Sequence, residues 1–148
     1  MSAFAKETME ADAHAFSALL RHIKDIDEKE NTVIAIQVEN ETGFLNTDRE
    51  HSDVADTLFD SPVPELLIKR LNKNYASLHP TLLNSFQKNK AGNWKEVFTN
   101  MAEEVFTAWY TAKYVEFVAK SGKEVYPLPM LTNCWLDKGQ TAGKYPTG

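Results

Sequence analysis

The sequence predicts an α/β protein with parallel strands, and two observations carry that expectation. The first is a short apolar run, residues 33–38, that stops abruptly at Glu39, Asn40 and Glu41. A continuous apolar run bounded by polar residues suits a strand buried on both faces of a parallel sheet. The second is order: helix, strand, long excursion, helix, strand, the alternation from which parallel sheets are built. In such sheets chemistry sits at the carboxyl ends of the strands. Here that end carries two glutamates.

The first helix is expected over residues 7–27. Met9, Ala13, Phe16, Leu19, Leu20, Ile23 and Ile26 recur at steps of three and four and form one apolar stripe. Lys6, Glu10, Asp12, Arg21, Lys24 and Asp25 are expected to face mostly outward. A polar connection, residues 27–31, leads into the strand at 32–38.

Periodicity is weak from Thr42 to about Asn100. Asn46, Thr47, Asp48, Ser52, Asp53 and the segment Asp60-Ser61-Pro62-Val63-Pro64 read as turns and helix starts. Short helices fit 64–71 and 80–87. A connection of this length is often functional, so residues 42–100 are expected to form a loop and short-helix excursion beside the glutamate cluster.

The second long helix is expected over residues 101–121. Phe106, Trp109, Tyr110, Tyr114, Phe117 and Val118 form a bulky stripe, with smaller apolar residues beside it. So much apolar circumference implies burial on more than one side. Gly122 suits the position that ends the helix. Residues 126–136 read as a second buried strand, with Pro127 and Pro129 confined to its start. It ends in Asn133, Trp135 and Asp137, and a Gly/Pro/Thr-rich tail follows. Two such strands leave two sheet edges open. The chain therefore reads as the middle of a larger domain, and self-association through the open edges is a further expectation.

Composition narrows the function. The 148 residues are 43% hydrophobic and 25% charged, as in an ordinary globular domain. The net charge of -5 argues against a nucleic-acid partner, which needs a concentrated basic face. The densest basic stretch, 69–73, reads as a solvated helix face. No stretch approaches the roughly 18–20 apolar residues that span a bilayer, and no export signal is expected in residues 1–10. Cys134 is the only cysteine, best read as a small buried residue. His14, His22, His51 and His79 lack metal-ligand spacing, and there is no glycine-rich phosphate loop. Neither a metal nor a cofactor is expected.

Paired carboxyl groups suggest glycoside hydrolysis, in which one acid protonates the leaving oxygen and a second carboxylate, about 5–5.5 Å away in retaining enzymes, attacks. On a regular strand Glu39 and Glu41 share one side and Asn40 takes the other, unless the backbone bends. Two glutamates on one side of the substrate suit that division of labour poorly. A partner from another strand suits it better.

The string Gln37-Val38-Glu39-Asn40-Glu41-Thr42-Gly43 resembles the Asn-Glu motif at the end of the fourth strand in β-galactosidase-like glycoside hydrolases of clan A, with close parallels in families 35 and 42. His51-Ser52-Asp53-Val54-Ala55-Asp56, Phe59-Asp60-Ser61-Pro62-Val63-Pro64-Glu65, Tyr126-Pro127-Leu128-Pro129-Met130 and Asn133-Cys134-Trp135-Leu136-Asp137 extend the likeness over nearly the whole chain.

The resemblance implies a partial (β/α)8 TIM barrel, from about helix 3 through strand 5, as a fragment of a catalytic barrel spanning residues 1–148. It implies retaining hydrolysis of terminal β-galactosides or related β-glycosides. Glu41 matches the family's general acid/base, and Asn40 matches the residue that contacts the sugar 2-hydroxyl. The family's nucleophile, on a seventh strand, has no match here, so little or no turnover is expected of the chain alone. Asn133 and Trp135 are expected to line the sugar site by position, and Glu39 to hold its neighbours in place. The alternative is a non-catalytic carbohydrate-binding α/β module presenting Trp135, Asn133 and Asn40.

Overall fold

A computed structural model describes residues 2–44 and 47–133. The order is α1 (Lys6–Asp27), β1 (Ile36–Gln37), α2 (Asp53–Asp60), α3 (Glu65–Lys73), a 3-10 turn (Tyr75–Ser77), α4 (Pro80–Leu83), α5 (Trp94–Phe98), a second 3-10 turn (Thr99–Met101), α6 (Ala102–Val125) and β2 (Met130–Leu131).

The α/β expectation, and with it the partial barrel from helix 3 to strand 5, is corrected by these elements. The described residues are mostly helical, 60% helix against 5% strand, and the sheet among them has two strands. The two strands do pair in parallel, Ile36 opposite Met130 and Gln37 opposite Leu131, but both are far shorter than expected. The reason is local on each side. Asp27, at the end of α1, takes the N–H groups of Thr32 and Val33 and the Thr32 hydroxyl, so the first part of the run at 32–38 is fastened to the helix terminus and not to a ladder. Ile34 is 79% exposed, which is not the environment of a strand covered on both faces. On the other strand Pro127 and Pro129 offer no N–H for pairing.

The described part of residues 42–100 carries four α-helices, and a side-chain cap starts three of them. Ser52 caps α2 by accepting from the Ala55 N–H, and His79 Nδ1 accepts from the Thr81 N–H ahead of α4. Asn93 and Glu96 cap α5 reciprocally, each side chain accepting from the other's backbone N–H. These short helices gather the main core: Phe59, Val63, Phe86, Trp94, Val97 and Phe98 close around Phe106 at the start of α6. Trp94 is fully buried, with its ring edge-on to Phe106 at 5.2 Å and stacked near Phe98 at 5.8 Å. Phe4, from the N-terminal stretch, stacks on Phe106 at 5.1 Å.

A second, smaller core joins the sheet to the long helices. Val38, Tyr114 and Val118 are buried there against Met9, Phe16 and Met130. Two expectations for α6 are corrected by this packing. Its buried residues, among them Phe106, Thr107, Thr111, Tyr114 and Val118, recur at steps of one, three and four along one side, while Phe117 is 40% exposed and Ala112 exposed. Gly122 does not end the helix, which continues to Val125. It lies buried inside, where a Cβ would stand 2.4 Å from a Phe16 ring carbon.

Candidate functional site

The end of β1 departs from strand geometry at once. Val38 keeps the sheet register, its N–H donating to the Leu131 carbonyl at 2.8 Å. Glu39 then turns left-handed at φ 58°, and Glu41 does so again at φ 47°. Left-handed backbone at a non-glycine residue costs about 1–3 kcal/mol and persists where surrounding contacts over-determine it. The bend removes simple strand alternation, so Glu39, Asn40 and Glu41 are placed by their partners.

Those partners are specific. The Asn133 side chain, beyond β2, bridges the turn: its Oδ1 accepts the Glu41 N–H at 3.0 Å, and its Nδ2 donates to Asn40 Oδ1 at 3.1 Å. Gln37 Nε2 donates to the same Asn40 oxygen at 3.2 Å and to the Glu39 carbonyl at 3.0 Å. Both bonds to Asn40 fall on its amide oxygen, which fixes the group and leaves its NH2 end to donate elsewhere. Asn40, Glu41 and Asn133, singled out from the sequence, are thus brought together at the carboxyl ends of the two strands. Trp135 lies outside the described residues, as does Cys134.

Glu39 faces the helices. Its carboxyl meets Asp12 of α1, and the Tyr114 hydroxyl of α6 donates to Asp12 Oδ2 at 2.8 Å. Desolvation, then the hydrogen bond and negative charge of Asp12, push the Glu39 carboxyl up to about 7. Glu39, Asn40, Glu41, Phe44, Thr111 and Tyr114 line a groove of about 290 Å³.

Asp12 and Tyr114 were not singled out for this site, and the outward placement of Asp12 is corrected. The sequence holds a signal: Asp12 stands three residues after Met9 and four before Phe16, hence on the border of the apolar stripe. Beyond the site, Arg49 is buried between Asp56 and Glu103 with its guanidinium 4.3 Å from the centre of the Phe59 ring, and anchors the chain leaving the groove.

Among the described residues no three His, Cys, Asp or Glu side chains are grouped to hold a metal ion. No described helix is long and apolar enough to cross a membrane. Fold and site together define a mainly helical protein with a strand-end carboxyl–amide cluster. No protein-family model matches the chain, and no curated protein matches it. The likeness to β-galactosidase-like enzymes therefore rests on the quoted motifs alone.

Proposed function

We propose that the end of β1 is the acid/base half of a retaining glycoside-hydrolase site acting on terminal β-galactosides or related β-glycosides. One observation supports this reading above the rest: the Asn133 bridge holds Asn40 and Glu41 side by side on a left-handed turn that opens into a groove. In the proposed mechanism Glu41 gives its proton to the glycosidic oxygen as the bond from the anomeric carbon breaks. It later takes a proton from the water that releases the sugar. The Asn40 NH2 donates to the sugar 2-hydroxyl. The reading assigns the nucleophile to no residue of this chain, so the chain alone binds galactosides without turnover.

The test has two stages. Titration of the 15N-labelled chain with methyl β-D-galactopyranoside is expected to shift the resonances of Asn40, Glu41 and Asn133. Phenyl β-D-galactopyranoside with sodium azide is then expected to yield galactosyl azide: azide bonds to the anomeric carbon, the bond to the phenoxy oxygen breaks, and that oxygen takes the Glu41 proton. Glu41→Gln is expected to abolish the product. No sugar-dependent shifts at these residues rules out the reading and the binding module alike. Shifts without azide product favour the module.

One observation favours a variant of this mechanism. Glu39 holds its proton up to about pH 7 and lines the same groove, as a general acid near neutrality must. Product that survives Glu41→Gln and is lost with Glu39→Gln assigns the donor to Glu39.

A further inference from the structure

A second groove lies apart from the one at Glu41. It has a volume of about 510 Å³ and is lined by the N-terminal stretch, α6 and Leu58 of α2. It shares only Ala3 and Tyr114 with the groove at Glu41. Four aromatic residues, Phe4, Trp109, Tyr110 and Phe117, are among those that line it.

Its charge runs against that of the molecule. The chain carries a net -5, yet Lys6, Lys113 and Lys120 line this groove against one carboxylate, Glu116. Lys113 first, then Arg70 and Lys120, hold the Glu116 carboxyl below its usual range. Lys6 pairs with Glu10 at 3.3 Å and Lys113 with Glu116 at 2.6 Å. Both pairs are solvent-exposed neighbours on one helix, a kind that contributes little and exchanges partners readily. Three lysines and one carboxylate thus line the groove beside its aromatic residues.

We propose that this groove binds a flat aromatic anion, a fused-ring or biaryl carboxylate or sulfonate, with its rings against Trp109 and Tyr110 and its charged group between Lys113 and Lys120. The volume falls within the range of small-molecule sites, roughly 300–1,000 Å³. Ring faces supply the apolar contact, and the lysines supply the preference for an anion over a neutral compound of the same shape. The inference is independent of the glycosidase reading, because the residues that carry it lie apart from the Glu41 cluster.

The probe is naphthalene-1-sulfonate, with neutral 1-naphthalenemethanol as its comparison, titrated into the full chain by calorimetry and 15N NMR. The expected result is saturable binding of one sulfonate, with shifts at Trp109, Tyr110, Lys113 and Phe117. Lys113→Gln with Lys120→Gln is expected to weaken the sulfonate about three- to tenfold and leave the neutral compound unchanged. Phe117→Glu is expected to weaken both. All three positions are solvent-facing, and an unchanged circular dichroism spectrum checks each fold. Absence of saturable binding overturns the proposal, as does equal affinity for the two compounds with no response to the lysine changes. So do shifts confined to other residues. Light scattering that shows a dimer closing this groove, with Phe117→Glu restoring the monomer, also overturns it.

Discussion

The hydroxyl of Tyr114 on α6 donates to Oδ2 of Asp12 on α1 at 2.8 Å, tying the two longest helices together beside the end of β1. Asp12 is therefore held where it is, and Glu39 meets it as a fixed neighbour. Burial first, and then this fixed acidic neighbour, favour the protonated form of Glu39.

Stability should follow that proton. Glu39 moves from an ordinary 4.5 in the unfolded chain to about 7 in the fold. Between those values the folded protein binds the extra proton, so stability falls as pH rises. The contribution is full below about pH 4.5 and gone once pH has passed through about 7. A shift of this size converts to roughly 3 kcal/mol, and the groove's exposure to water reduces the expectation to about 1–2 kcal/mol. Urea midpoints measured from pH 4.5 to 7.5 should decline for the parent chain and flatten for Glu39→Gln. An equal decline in both would remove Glu39 as the cause.

Asp27 titrates in the opposite sense. The Thr32 hydroxyl, then the Val33 and Thr32 N–H groups, hold its carboxyl below the usual 3.8. A depressed carboxyl adds stability above its unfolded value and loses it as pH falls through the folded one. Thr32→Val removes the largest of these bonds, so its acid unfolding should begin at a higher pH. Acid titration followed by circular dichroism compares the onsets directly. An unchanged onset would show that the turn after α1 holds without the hydroxyl.

The same turn explains what the sequence revealed and what it hid. Both long helices were legible, because their apolar residues recur over five or more turns and no competing partner interrupts them. The strands were overextended, because an apolar run does not show that Asp27 will take the amides at 32 and 33 first. Short helices were legible at 64–71 and 80–87, although the second stops at Leu83. In contrast, α2 and α5 escaped the periodicity test because each is set by a side-chain cap and by non-local aromatic contacts of Phe59 and Trp94 with Phe106. At the site, the residue types Asn40, Glu41 and Asn133 were legible as strand-end chemistry. The left-handed turn was not, since glutamate is a poor marker of positive φ.

Gly122 provides a packing test. Alanine is the better helix former by about 1 kcal/mol, so an exposed glycine here would gain from the change. The Phe16 ring stands 2.4 Å from the new methyl position, and both residues lie between α1 and α6. Overpacking of this kind costs about 1–3 kcal/mol and outweighs the propensity gain. Gly122→Ala should lower the thermal midpoint, and adding Phe16→Leu should recover part of the loss. A stabilised single variant would mean that the helices separate at little cost.

Asn133 allows the bridge to be taken apart one bond at a time. Its carbonyl oxygen serves the Glu41 N–H, and its NH2 serves Asn40. Asn133→Ala removes both, with a global cost of about 1 kcal/mol because both bonds border solvent. The local effect should be larger. With nothing to hold the left-handed turn, the Glu41 amide should exchange with solvent faster, by tenfold for each 1.4 kcal/mol of holding energy lost. Asn133→Asp keeps an acceptor for Glu41 but sets oxygen against the Asn40 oxygen. It should preserve the slow Glu41 exchange while releasing the Asn40 side chain, seen as narrowed side-chain amide resonances. Identical Glu41 exchange in Asn133→Ala and the parent would mean that the turn is held by the chain on either side of it, and the bridge would then serve only to aim Asn40.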